Sequence, residues 1–382
     1  MTALYRSVGD ELAHYQIDVE AGTLAQQAAV RLPAKVQYVW PHPSKRYLYV
    51  ISSEGAAAAG SGKTNHISAF RIGPDGALHA HGEPQPLSHR PIHMSLDATG
   101  TYAVTAYNNP SAVTVHRIAA DGTLGPQVKQ PGTLDTGIYA HQVRFTPSNR
   151  TVILVTRGNN ASASKPEDPG ALKLFRFHDG LLTNLASVAP NGGFGFGPRH
   201  LDFHPTRPWV YVALERQNKL QVYALEGEAL SSAPLFTRET LAEPGNLHPR
   251  QMVGTVHVHP SGRFVYVANR ADHKVDFSGT PVFAGGENSL VAYEIDQKTG
   301  EPTFIQRVDP RSFHVRTFSI DPSARVLIAA NILPMPVRDG AKVVTVPAAL
   351  SVFRIGNDGR LEFLRKYDVD AAGRSQWWMG II

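Results

Sequence analysis

One glutamate, one histidine and a set of arginines stand at two fixed distances from a turn that this chain repeats. Six residues before the turn's proline position lie His141, Arg199 and Arg316; ten residues after it lie Asn108, Arg157, Glu215 and Arg270. Guanidinium forks bind carboxylates and phosphates in two-point fashion. A glutamate accepts protons as a general base, and an imidazole with an ordinary pKa of about 6.5 passes protons in either direction near neutrality. Together they suit an anion that is bound and then protonated or deprotonated, which is the make-up of an active site. His93 and His200, one step further along at five residues before the turn, are expected to pack beside that site and to touch substrate.

The turn that sets this register occurs six times, at His42-Pro43-Ser44, Asp97-Ala98-Thr99, Thr146-Pro147-Ser148, His204-Pro205-Thr206, His259-Pro260-Ser261 and Asp321-Pro322-Ser323. The steps between copies are 55, 49, 58, 55 and 62 residues. Each copy is followed by an apolar run such as Trp209 to Leu214, and each unit holds several short β-branched and aromatic runs with no sustained helical period. That is the signature of one four-stranded antiparallel propeller blade per repeat, making the chain all-β. Six blades span roughly residues 34 to 372, and the two ends make a seventh in which the C-terminal strand pairs with the N-terminal ones. Closure of this kind leaves no open sheet edge, and residues 1–382 read as a single seven-bladed domain.

Within a blade the innermost strand runs toward the turn and the second runs back, so both registers fall on the face opposite the turns. Four long insertions leave from that face, at residues 54–65, 158–170, 271–288 and 333–347. They are read as irregular loops over the pocket. Gly192 to Gly197 is expected to let the backbone pass close to the funnel ahead of Arg199. Trp377 and Trp378 are expected to seal the last blade.

Composition narrows the partners. A net charge of +5 with no Lys/Arg run favours a small anionic molecule over nucleic acid. The absence of cysteine removes disulfides, thiolate metal sites and thiol nucleophiles. His257 and His259 have the spacing of a metal pair, but the second belongs to the repeated turn and no carboxylate completes a set, so neither metal nor cofactor is expected. No apolar stretch is long enough for a membrane helix and no secretory signal opens the chain, which points to the cytoplasm. A monomer or weak homodimer is expected.

Gly197-Pro198-Arg199-His200, Phe203-His204-Pro205, Tyr211-Val212 and Glu215 resemble the signature of the seven-bladed propeller lactonase family, which includes bacterial 6-phosphogluconolactonases and fungal 3-carboxy-cis,cis-muconate lactonizing enzymes. His93 to Asn108, His141 to Pro147 and Ser261 to Arg270 resemble it too. The resemblance implies catalytic roles for His141, Arg199, Glu215 and Arg270; the register adds Arg316, Arg157, Asn108, His93 and His200 as the residues expected to bind substrate. It implies hydrolysis of a sugar or phosphosugar lactone, with Glu215 as base and His141 passing a proton to the departing ring oxygen. A cycloisomerase closing a carboxymuconate-type diacid, or a non-catalytic propeller binding a sugar acid or a protein, remain the alternatives. The chain departs from the family pattern at Leu214, which replaces an Asn, and in lacking the Gly-Pro before the last strand.

Overall fold

A computed structural model describes residues 2–55 and 64–382. Seven four-stranded antiparallel blades close into a ring. Six are contiguous in sequence, their innermost strands being Lys35–Pro41, Pro91–Leu96, Ala140–Phe145, Pro198–Phe203, Gln251–Val258 and Val315–Ile320. The seventh takes Ala3–Val8, Glu11–Asp18 and Thr23–Arg31 from the start and Met379–Ile381 from the end, the last strand innermost and antiparallel to Ala3–Val8. Backbone bonds from Ser7 N to Trp378 O (2.9 Å) and from Ala3 N to Ile382 O (3.2 Å) extend that seam.

The second strands are mainly apolar because both their faces are buried. Side chains alternate across a strand, so Val210, Val212 and Leu214 of Trp209–Leu214 enter the core shared with the preceding blade. Trp209, Tyr211 and Ala213 enter the core shared with the following one. The same division around the ring produces one apolar cluster per pair of neighbouring blades. Fully burying a valine or leucine contributes about 1.5–3 kcal/mol; each second strand does so toward two neighbours at once.

Polar staples join the blades on the turn side. His42 Nε2 meets Gly100 O at 3.2 Å, His204 Nε2 meets Gly262 O at 2.9 Å and His259 Nε2 meets Ala324 O at 3.0 Å, each reaching the turn of the next blade. The remaining ring nitrogen of His204 accepts from the amides of Thr206 and Arg207. Tyr49, Tyr211 and Tyr266 reinforce the same three interfaces by donating to the carbonyls of Gly122, Gly300 and Gly359, and Tyr5 donates to Gly76 O across one more.

Two of the four insertions are regular hairpins instead of irregular loops. Lys274–Phe277 pairs with Thr280–Phe283, Met335–Asp339 pairs with Lys342–Val346, and Arg338 stacks over Phe277 at 4.5 Å to join them. Lys342 to Val346 alternates little in polarity but is rich in β-branched residues, the signal for a strand. The 158–170 insertion is pinned by Asn159 and Lys165 to Asp168 at 2.8 and 2.7 Å and by an ion pair between Glu167 and Arg216. Most of the 54–65 insertion lies outside the described residues. Gly193, at φ +88°, faces that 158–170 segment, where a Cβ would lie 2.3 Å from Gly170 O; the glycine run therefore accommodates a neighbouring loop in addition to leading into Arg199. Among the described residues no helix is long and apolar enough to cross a membrane.

Candidate active site

Six β-bulges aim the ring of functional side chains. In each contiguous blade the pairing between the first and second strands slips by one residue near the face opposite the turns. The residues left without a partner are Gln37, Ile92, His141, Arg199 and Arg316, and in one blade Gly254 with Thr255 share the place. These are the positions six before the turn proline. A bulge turns an extra residue out of the ladder and re-aims it, which is why one register point around the ring supplies the site.

At the centre Glu215 is held by three guanidiniums. Its Oε2 lies 2.9 Å from Arg199 Nε and 3.1 Å from Arg270 Nη2, and its Oε1 lies 3.1 Å from Arg157 Nη1. Arg199 and Arg270 are buried, with 1% and 4% of their surface exposed. Arg270 crosses above Gly254, its Cδ 3.5 Å from where a Cβ would stand. Arg157 stacks 3.9 Å over the Tyr139 ring, and Arg270 Nη1 meets His314 Nε2 at 3.0 Å. His314 in turn leans on Asp272 at 3.1 Å, a carboxylate that also takes both forks of Arg250 at 2.6 and 2.8 Å. Arg316 completes the cationic wall, stacked on Trp377.

The charges fix the protonation states. Burial alone would raise the Glu215 pKa, but Arg270, Arg157 and Arg199 outweigh it and bring it to about 2. Burial pushes His141 well below 6.5, and Arg199, Arg316, Arg157 and Arg270 push it further, so its ring is neutral. Burial and the neighbouring Arg270 and Arg90 lower Arg316 to about 9. An enclosure of guanidiniums with so few carboxylates is poised for an anion, because mutual repulsion is relieved only when negative charge arrives. The general-base role expected of Glu215 does not suit these surroundings: a carboxylate with a pKa near 2 whose two oxygens are both engaged is an anchor for arginines. His141 by contrast is neutral and, among the described residues, has no partner at Nδ1.

His141, His200 and His93 form a row down the axial channel, with ring centres 5.2 and 6.0 Å apart. Both lower rings are buried, and burial holds both well below 6.5. His93 packs at 3.9 Å on Tyr38. Further along the strand that carries Arg199 and His200, Asp202 joins Arg144 at 3.1 Å and His257 at 3.4 Å. His200 and His93 thus wall the site below His141. Asn108 is buried at the end of its strand with Nδ2 unpartnered, and among the described residues no hydrogen bond ties it to the arginines.

The tryptophan pair divides. Trp378 is 6% exposed and seals the core between the seventh blade and the blade that begins at Lys35, as expected. Trp377 instead stands at the funnel under Arg316. Register missed Arg90, Tyr139, Asp272 and His314, which lie just outside the innermost and second strands; the only sequence signal was their adjacency to those strand ends.

A closed seven-bladed ring with an arginine-lined well on one face defines a β-propeller with a cationic site. Residues 2–333 match the family described as "Lactonase, 7-bladed beta-propeller", and the chain belongs to that family. It is 27% identical over 343 residues to the 6-phosphogluconolactonase of Bacillus subtilis (strain 168), covering 86% of both chains. It is 28% identical over 310 residues to that of Pectobacterium carotovorum subsp. carotovorum (strain PC1), covering 78% of this chain and 85% of that one. A periplasmic gluconolactonase structure from Pseudomonas aeruginosa superimposes with a TM-score of 0.70 at 20% identity, covering 100% of this chain and 99% of the other, a likeness of fold.

Proposed function

We propose that the chain hydrolyses the ring ester of a sugar lactone. The observation that carries this reading is His141, a neutral imidazole facing Arg199, Arg316, Arg157 and Arg270. The names of its relatives, 6-phosphogluconolactonase and gluconolactonase, support the same substrate class.

His141 takes a proton from water as the hydroxide bonds to the lactone carbonyl carbon. The carbonyl oxygen becomes an oxyanion facing Arg199, Arg270 and Arg316, whose planar donors stabilise charge that develops only in the transition state. Collapse breaks the bond from carbon to ring oxygen, and the imidazolium returns its proton to that oxygen, leaving an open-chain hydroxy acid. Glu215 keeps the arginines aligned; among the described residues it is the carboxylate that touches Arg199, Arg270 and Arg157 together. The protein is read as acting on a soluble small anion.

Acid release from gluconolactone and from its 6-phosphate, corrected for spontaneous hydrolysis, tests the reading. Wild type should accelerate release, and His141→Gln and Arg199→Ala should each lose about 100- to 1000-fold in turnover, the usual loss for one oxyanion donor. Unchanged rates in both variants would reject it.

A further inference from the structure

Arg270 is held at two points of unlike chemistry. Its Nη2 donates to the Glu215 carboxylate at 3.1 Å, and its Nη1 lies 3.0 Å from Nε2 of His314. A guanidinium has donors only, so that imidazole nitrogen is the acceptor and the ring proton sits on Nδ1. Asp272 stands where it favours a proton there, its Oδ2 lying 3.1 Å from His314 Nδ1. We propose that His314 is the positioning residue for Arg270, with its tautomer set by Asp272, and that opening of the lactone depends on this pair through that arginine alone. The proposal rests on the lactone reading above and adds two residues to its machinery.

The pair is not a second general base. A carboxylate behind an imidazole makes a base when the far ring nitrogen is open to substrate or water; here Arg270 occupies that nitrogen. Burial, with Arg270 and Arg316, lowers His314 to about 4 against the pull of Asp272, so the ring is neutral. Its other tautomer would set an Nε2–H against the Nη1–H of Arg270, two donors with no acceptor between them. Among the described residues Nδ1 makes no aligned hydrogen bond, so Asp272 acts on it as a nearby charge. A neutral acceptor does what a carboxylate in its place would not: it orients Arg270 without cancelling a charge that an oxyanion needs.

The backbone is built to place this ring. His314 stands one residue before the innermost strand Val315–Ile320 with φ +56°, a left-handed conformation that is unfavourable for a residue bearing a Cβ and persists where the surroundings impose it. Asn288 imposes it. Its Oδ1 accepts from the amides of His314 at 2.7 Å and Ala271 at 3.1 Å, and its Nδ2 donates to Ala271 O at 3.2 Å. Ala271 lies between Arg270 and Asp272, so one side chain ties the backbone of the imidazole to the segment that carries both its partners. Arg250 fixes the carboxylate from the other side, at 2.6 Å from Nε and 2.8 Å from Nη2. The second strand of one blade and the innermost strand of the next are thereby keyed together at Arg270.

Acid release from gluconolactone and its 6-phosphate, together with NMR of nitrogen-15 histidine, tests this. At neutral pH the His314 ring, assigned by its absence from His314→Gln, should carry its proton on Nδ1 and none on Nε2. His314→Leu should lower kcat about 10- to 100-fold, the scale of a misplacement of about 1 Å, while KM changes less than about 2-fold, the mark of an interaction made in the transition state. His314→Gln, whose amide oxygen can accept from Arg270, should recover part of that loss. Asp272→Asn, whose amide can donate to Nδ1 and drive the ring proton to Nε2, should lose as much as the leucine. In an Arg270→Ala background His314→Leu should cost nothing further, because the two act as one unit. A proton on Nε2, an undiminished kcat in His314→Leu or Asp272→Asn, a glutamine no better than leucine, or losses that multiply in the double variant would overturn the proposal. If His314→Leu does not fold, the partly exposed Asp272 and its asparagine variant decide the matter. A wild type that opens neither lactone yet carries the proton on Nδ1 would overturn the hydrolytic reading and leave the positioning of Arg270 standing.

Discussion

The guanidinium carbon of Arg316 lies 3.7 Å from the centre of the Trp377 indole, and Arg316 Nε donates to the Trp377 carbonyl at 3.2 Å. The segment just before the last strand therefore delivers both a ring and a carbonyl to an arginine contributed by the preceding blade. Trp377→Leu keeps the carbonyl and removes the ring. A cation–π contact is worth about 0.5–2 kcal/mol, so kcat/KM should fall about 2- to 30-fold with little change in thermal midpoint. Trp378→Ala, one residue on, should show the reverse pattern, a loss of about 3–5 kcal/mol in stability from the cavity it opens. Steady-state kinetics and urea melts on the two variants separate these outcomes.

The acid limb of activity should report His141 and no carboxylate. With Glu215 at about 2, nothing in that carboxylate titrates above about pH 4, and the neutral imidazole is lost only below its ordinary value of about 6.5. Wild-type kcat/KM should be flat from pH 8 down to 6.5 and decline further down. Arg157→Met removes one of the charges that depress His141, so its acid limb should move to higher pH. A limb that stays in place would show that another group controls it.

Glu215→Gln should cost stability as well as rate. It leaves Arg157, Arg199 and Arg270 facing one another without their shared counter-charge, and removing one partner of a buried ion cluster typically costs about 3–5 kcal/mol. A variant that loses activity but melts with wild type would argue for a chemical role over anchoring.

Acid should destabilise the fold early. His93, His141 and His200 lie well below 6.5, and burial lowers His116 and His314 to about 4. Below pH 6.5 the unfolded chain binds these protons and the folded chain does not, so stability is complete above 6.5 and is lost as pH falls toward 4. Each such histidine contributes a slope of about 1.4 kcal/mol per pH unit within that window. Glu215 and Asp202, both near 2, extend the loss to lower pH with the same sign. Urea midpoints at pH 7, 6 and 5 should fall steadily; an unchanged midpoint down to pH 5 would contradict the assigned states.

His204→Ala should weaken the ring and spare the chemistry. It deletes a contact to Gly262 and two to its own turn on the side away from the site. A loss of about 1–3 kcal/mol with unaltered kcat/KM is expected.

Much of this was legible in the sequence because the repeated turn is a ruler. His141, Arg199 and Arg316 stand at one distance from it and Arg157, Glu215 and Arg270 at another, and a closed ring turns equal distances into a shared place. The ruler stops where the strands stop. Arg90, Tyr139, Asp272 and His314 come from connections of unequal length, so counting could not bring them in. Protonation was equally out of reach, since Glu215 reads as a base until three guanidiniums are seen around it. The Lys274–Phe283 and Met335–Val346 hairpins escaped because short excursions without the turn motif carry only their β-branched residues as a sign.

The six bulges carry a wider consequence. A residue bulged out of a ladder forms no cross-strand pair, so its identity is free of the constraints that govern its neighbours; the chain places glutamine, isoleucine, histidine, two arginines and a glycine at equivalent sockets without disturbing the blades. Scaffold and selectivity are thereby uncoupled. A new specificity could be written by exchanging socket residues alone, with the wheel behaving as a fixed chuck that accepts interchangeable tools.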